Sequence, residues 1–151
     1  MPTINGRACV VNGKPVDKAY SNGKQVYGRN LFSVRDWNAK PYLISNSVPY
    51  MNIQLEPNTE YTLTTNIIKT NEYFDVFFFK DNEDASSSIN SVNSGSGRTL
   101  TTSSTGNVKV GMRNYSLSLS DDTNWIKLEK GSVATPWTPA PEDVGAVAKS
   151  F

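Results

Sequence analysis

The chain has 151 residues, one domain's worth with room for a small appendage, and 15 basic residues balance 14 acidic ones for a net charge of +1. Histidine is absent and cysteine occurs once, which excludes a Ser-His-Asp or Cys-His active site, a zinc site with a histidine ligand and an internal disulfide. The balanced charge leaves no basic footprint for nucleic acid, and the longest apolar run is too short to span a membrane.

Only 19% of the residues are charged, and the remaining polarity is uncharged. Serine, asparagine and threonine account for 46 of 151 residues. Threonine suits strands, and asparagine and serine suit turns. The chain therefore reads as all-β with many loops. The start, MPTINGRACVV, lacks a basic stretch followed by a long apolar run, so no signal peptide is expected.

Residues 1–28 read as a small β-meander for attachment. Asn-Gly occurs at Asn5-Gly6, Asn12-Gly13 and Asn22-Gly23, and this dipeptide tolerates the positive φ of a type I′ hairpin turn. The expected strands are Arg7–Val11, Pro15–Tyr20 and Gln25–Tyr27. They hold few apolar residues, so the meander needs the main domain, a partner or a copy of itself to pack on.

Gly28-Arg29-Asn30-Leu31-Phe32 opens the main domain, residues 29–141. Trp37 to Tyr50 reads as irregular, with Pro41 and Pro49 as breakers. Val48–Leu55 is an expected strand ending at the turn Glu56-Pro57-Asn58. Tyr61–Ile67 alternates with period two, placing Tyr61, Leu63 and Ile67 on the core side. Tyr73–Phe79 is the most apolar strand and belongs at the centre of a sheet. Asp81–Gly97 is rich in Ser, Asn and Gly and reads as a long loop.

Arg98–Thr102 and Asn107–Asn114 follow as strands. In the second, Val108, Val110 and Met112 share one face and Lys109, Gly111 and Arg113 the other. The last strand is Trp125–Glu129, with Ile126 and Leu128 inward. Lys130-Gly131 turns the chain, and Pro136, Pro139 and Pro141 hold an extended exit. Residues 142–151 form a short tail. Short strands with frequent turns and no long helix argue for an antiparallel β-sandwich, with the jelly roll as the version expected.

The stretch Trp125-Ile126-Lys127-Leu128-Glu129-Lys130-Gly131-Ser132-Val133-Ala134-Thr135-Pro136-Trp137-Thr138-Pro139-Ala140-Pro141-Glu142-Asp143 resembles the closing segment of carbohydrate-binding modules in tail and baseplate proteins of phages that infect Gram-positive, lactic-acid-type bacteria. Tyr27-Gly28-Arg29-Asn30-Leu31 resembles their opening segment, and Leu55–Leu63 a turn and strand between the two. The resemblance implies a jelly roll that binds host cell-wall polysaccharide, sits in the phage tail or baseplate beside other tail proteins, and is made in the host cytoplasm. Multimers, trimers especially, are common among such adhesins, so a homo-oligomer is expected. Within the closing motif, Ile126 and Leu128 read as core, Gly131 as the turn and Trp137 as packing, with no catalytic role for Glu129. The alternatives are a structural tail or baseplate component without saccharide affinity, and a binding module of a cell-wall hydrolase.

A sugar site needs flat apolar surface for ring C–H faces and planar polar groups for paired hydroxyls. Gly111 leaves a gap in its strand's outward layer, readable as a groove floor or as part of a solvated face. Lys109 and Arg113 flank the gap, and Asn114 and Tyr115 follow. Arg113 has a fork that can meet two adjacent hydroxyls. Trp37 and Tyr42 are the candidate stacking platforms, with packing across the end of the sandwich as the alternative for Trp37. Tyr50 and Tyr73 read as structural. The acidic runs Asp81-Asn82-Glu83-Asp84 and Asp121-Asp122 lack the EF-hand spacing and read as solvated turns, so no metal or cofactor is expected. Asp75 is the one acid whose neighbours suggest a raised pKa, and no spacing places a second carboxylate beside it, so no glycosidase and no enzyme is expected.

Overall fold

The computed structural model describes residues 3–5, 8–39, 43–45, 48–67, 76–83, 91–92, 97–112, 119 and 123–144. Asn12-Gly13 and Asn22-Gly23 each carry two consecutive positive φ angles, 51° and 75° in the first, 52° and 77° in the second. These are the angles of a type I′ turn, whose twist matches that of the strands it joins. The first turn joins β2 (Ala8–Val11) to β3 (Lys14–Pro15), and β1 (Thr3–Asn5) pairs with the other edge of β2. The second joins β4 (Lys18–Ser21) to β5 (Lys24–Gly28).

The expected meander is therefore two small sheets, β1-β2-β3 and β4-β5. Pro15–Tyr20 does not run as one strand. Pro15 has no N–H to extend a ladder, and Asp17 turns its carbonyl to the Arg29 N–H, 2.8 Å away.

After β5 come helix α1 (Val34–Ala39), β6 (Leu43–Ser45), β7 (Val48–Gln54), β8 (Glu60–Thr65), β9 (Val76–Lys80), β10 (Ser91–Val92), β11 (Arg98–Thr101), β12 (Asn107–Met112) and β13 (Ile126–Lys130). They build a five-stranded sheet, β10-β9-β12-β7-β6, and a three-stranded sheet, β11-β8-β13. Every pairing is antiparallel. The fold is mostly β. Both sheets feed one core: Met51, Phe78, Val108, Val110 and Met112 from the first, Tyr61, Leu63, Leu100, Ile126 and Leu128 from the second.

The segment expected to be irregular, Trp37 to Tyr50, holds the end of α1, all of β6 and the start of β7. Six residues are too few for a helix to persist on propensity. Its first turn is held from outside: the Asp143 carboxylate accepts from the Val34 N–H (2.8 Å) and the Ser33 hydroxyl (2.5 Å), and the Ser33 hydroxyl accepts from the Asp36 N–H (3.1 Å). Asp143 lies in a 3-10 turn, Pro141–Val144. The long loop after β9 likewise contains the two-residue β10.

The opening and closing motifs lie against each other. Asn30 is 2% exposed. Its amide donates to the carbonyls of Ile126 (3.2 Å) and Thr138 (2.9 Å) and accepts from the N–H groups of Phe32 (2.9 Å) and Leu128 (3.1 Å). Two donors and two lone pairs are all used. The Leu31 N–H adds a bond to the Leu128 carbonyl, 2.7 Å away. Arg29 reaches in two directions, to Glu142 at 2.7 Å and Asp17 at 4.0 Å.

Along β13, Ile126 and Leu128 enter the core while Lys127 and Glu129 take the opposite face, and all four are buried. The Lys127 ammonium donates to the Thr135 hydroxyl (2.8 Å) and the Pro136 carbonyl (2.7 Å) and lies 3.9 Å from the Glu129 carboxylate. That carboxylate accepts from the Thr135 hydroxyl (2.7 Å) and N–H (3.2 Å). The exit is thus tied to β13. Gly28 closes the cluster from the other side: a Cβ there would lie 2.1 Å from Glu129 Oε1. Gly131, at φ 97°, makes the turn. Trp125 stacks on Trp137, their ring centres 6.1 Å apart.

Two expectations test this clasp. Asn30→Ala removes the partner of three buried backbone groups and one part-buried one and should cost about 3 kcal/mol or more in urea unfolding; a loss under about 1 kcal/mol would contradict the role given to the amide. Gly28→Ala should cost about 1–3 kcal/mol by the same measurement, because Glu129 must move.

Burial pushes the Lys127 pKa down from 10.5 to about 8, partly offset by Glu129. The unfolded chain therefore holds this proton more tightly across the window between those values. Stability from this group rises as pH increases through it. Unfolding free energies at pH 7 and 9.5 should show the parent gaining relative to Lys127→Met, and parallel pH curves would contradict the assignment.

Candidate functional site

The centre of the five-stranded sheet sets two rows of side chains by register. Ile53 opposes Val108 and Met51 opposes Val110, and these face the core. The alternate pairs are Gln54 with Asn107, Asn52 with Lys109, and Tyr50 with Gly111. On the other side of β12, Lys109 opposes Phe79 and Gly111 opposes Phe77. One outer face therefore carries Tyr50, Asn52, Gln54, Asn107 and Lys109 beside the buried Phe77 and Phe79, because a strand sends alternate residues to opposite faces.

The aromatic side of this face is packed. Phe77, Phe79 and Val48 form a second apolar cluster with the half-buried Tyr50 against it. Tyr50 meets Phe79 edge-on, at 5.9 Å between centres and 64° between planes. The Lys109 ammonium lies 5.3 Å from the centre of the Tyr50 ring and 5.6 Å from that of Phe79. Ring quadrupoles attract a cation at such range. It also donates to the Asp81 carbonyl, 3.3 Å away.

The polar side is made of amides. The Asn107 side-chain amide donates to Asn52 Oδ1 at 3.3 Å. Gln54 donates to the carbonyls of Leu55 (3.1 Å) and Thr105 (2.7 Å). The Asp81 carboxylate accepts from the Thr105 hydroxyl. That bond first, and one from Ser103 second, hold its pKa below the ordinary carboxylate value. Asn52 and Gln54 are exposed and Asn107 is half-exposed. The face thus offers amide oxygens and N–H groups, an aromatic ring and one ammonium, a set that can bind neighbouring hydroxyls beside a ring.

Of the residues singled out in the sequence, Lys109 stands in this face. Gly111 does not floor a groove. A Cβ there would lie 2.8 Å from the Pro49 carbonyl and 3.0 Å from Val48 Cγ1. The space is filled by β7, and glycine allows that close approach. Trp37 is 2% exposed and packs on Phe32 at 5.9 Å between ring centres. Its rings belong to the core, so it is no stacking platform and the packing alternative holds.

Tyr42, Arg113, Asn114 and Tyr115 lie outside the described residues, as do Tyr73, Asp75, Asp84 and Asp121-Asp122. Among the described residues no group of three or more His, Cys, Asp or Glu is placed to hold a metal ion. Glu83 is engaged by the Lys80 N–H at 3.0 Å and by Arg98 at 3.7 Å.

Sequence reasoning missed the row Tyr50, Asn52, Gln54. The signal was present: these residues alternate with Met51 and Ile53 and take the same parity as Asn107 and Lys109 once β7 and β12 are paired. The pairing itself is what the chain order does not state.

Comparison with known proteins gives no match to a family model, to a curated protein or to a solved structure.

The core position of Trp37 has a measurable consequence. Trp37→Ala should lower the unfolding free energy by about 3–5 kcal/mol, as for other large buried aromatics. A change below about 1 kcal/mol in a urea titration would contradict the packing described.

Proposed function

We propose that the chain is a non-catalytic carbohydrate-binding module of a phage tail or baseplate adhesin, and that it recognises cell-wall polysaccharide of a Gram-positive host. In this reading the two sheets are the layers of a jelly-roll β-sandwich over residues 29–141, and the ligand lies on the outer face of β7 and β12. The observation that carries it is the in-register row of Tyr50, Asn52, Gln54, Asn107 and Lys109 on that face. The resemblance of the opening and closing motifs to such modules supports the same reading.

The chemistry asks for little more. The amides bind paired hydroxyls, Tyr50 offers ring surface at the border, and Lys109 adds a charged donor. Individual hydrogen bonds of this kind net about 0.5–1.5 kcal/mol, and about 1.5–3 where a charge takes part. One site therefore binds weakly, and several copies on one virion supply avidity. A homotrimer beside other tail proteins is the arrangement that uses this best. The protein is made in the host cytoplasm and acts on the virion.

The test is adsorption of labelled protein to host walls, with purified wall polysaccharide as competitor. Tyr50→Ala, Asn52→Ala and Lys109→Ala should each weaken binding by about three- to tenfold, with Asn52→Ala leaving the melting temperature unchanged. A parent that adsorbs to walls while all three variants adsorb equally well would remove the site from this face. A parent that fails to adsorb at all favours a structural tail component.

A further inference from the structure

The β4–β5 hairpin and the segment after β13 leave a cleft of about 620 Å³ between them. Tyr20, Lys24 and Gln25 line one wall, Val133 and Thr135 the other, with Glu60 from β8 alongside. The volume is that of a small-ligand site. Two of its residues are large apolar groups left open to solvent: Tyr20 is 62% exposed and Val133 is 46% exposed.

Both walls are fixed before any ligand arrives. The hairpin is set by its Asn22-Gly23 turn, closed at its base by the Arg29 N–H bond to Asp17, and seated on β13 where Gly28 abuts Glu129 and the Lys127 ammonium lies 5.7 Å from the centre of the Tyr27 ring. The opposite wall is held where Thr135 bonds to Lys127 and Glu129. The Gln25 amide is oriented by its bond to the Tyr27 carbonyl at 3.2 Å, and its oxygen can accept further bonds. Preformed walls cut the ordering cost of binding.

We propose that this cleft is a second saccharide site, which takes one or two sugar units bearing an acidic substituent. The proposal rests on the carbohydrate-binding reading above but concerns a different surface. Tyr20 supplies a ring for stacking, and Gln25 and Ser132 supply polar partners for hydroxyls. Lys18 and Lys24 against Glu60 leave one positive charge in excess among the lining residues, so an acidic unit is favoured over a neutral one. A protein partner fits less well. A standard interface takes about 800 Å² from each side, and this cleft offers two separated apolar groups set among polar ones. Two sites on different surfaces of one module would also let one polymer chain be gripped twice.

The experiment uses the full chain and a purified wall polysaccharide that the parent binds, in three forms: native, dephosphorylated with hydrofluoric acid, and carboxyl-reduced. On the native form, Tyr20→Ala and Lys24→Glu should each weaken binding by about tenfold with the melting temperature unchanged, since both residues are exposed. Titration of the 15N-labelled parent should shift the Gln25 side-chain amide and the backbone amides of Ser132–Thr135. Weaker binding of the dephosphorylated form assigns the charge to phosphate, and weaker binding of the carboxyl-reduced form assigns it to a carboxylate. Equal binding of all three forms overturns the acidic unit. A parent that binds, loses affinity through Tyr50→Ala and is indifferent to Tyr20→Ala and Lys24→Glu overturns the cleft and leaves the first site standing. A parent that binds no wall polysaccharide overturns both.

Discussion

The amide of Asn30 is the joint on which the remaining structure depends. It is one side chain with four hydrogen bonds, and its partners come from three stretches of chain: its own segment, the last strand and the exit. The Leu31–Leu128 bond and the ties of Lys127 and Glu129 to Thr135 join the same stretches pairwise, and the amide meets all three at once. The opening segment is irregular, β13 lies at the edge of its sheet, and the exit has no ladder of its own. A buried polar group is costly unless satisfied, and its full satisfaction here requires all three segments at once. That requirement turns a local amide into a statement about topology. It also gives a physical reason for two segments about a hundred residues apart to lie together.

The N-terminal hairpin is fastened to the same joint. Gly28 has no side chain because Glu129 occupies the place a Cβ would take. Glu129 is there because Thr135 satisfies it, and Lys127 is there because Thr135 and the Pro136 carbonyl satisfy its ammonium. A buried ion pair contributes little net stability, but losing one partner strands the other charge. Its effect is therefore on arrangement. It lets the outer face of β13 be covered by chain that is not strand. Gly28, where the sequence composition shifts, is a tight contact in space.

Much of this fold could be read in the chain. The Asn-Gly pairs announce type I′ turns, and both described pairs adopt the required angles. Alternation locates β8, β12 and β13 to within a residue or two, the Glu56-Pro57-Asn58 turn locates the end of β7, and the apolar run locates β9. The failures share one cause, dependence on distant residues. Helix α1 exists because Asp143 caps it from 109 residues away, and no local pattern contains that. Trp37, an attractive ligand aromatic by position, is core because that helix turns it onto Phe32. Pro15–Tyr20 splits because Arg29 takes the Asp17 carbonyl. Lys109 was legible as an outward residue, but Tyr50, Asn52 and Gln54 become its neighbours only through the β7–β12 register.

The two sheets differ in what their outer faces leave available. On the three-stranded sheet, Lys127 and Glu129 are consumed in holding the exit, and Thr62 bonds to Thr99 (2.9 Å) and the Gly131 carbonyl (2.7 Å). On the five-stranded sheet, Phe77 and Phe79 anchor one side of the outer face in apolar packing, and Asn52 and Gln54 stay exposed. Strand geometry then separates two demands. Met51, Ile53, Val108 and Val110 keep the core, while the residues between them can change without disturbing it. A surface built this way can alter its amides and its charge one position at a time on a backbone the core already holds, which is the condition a ligand-reading face has to meet.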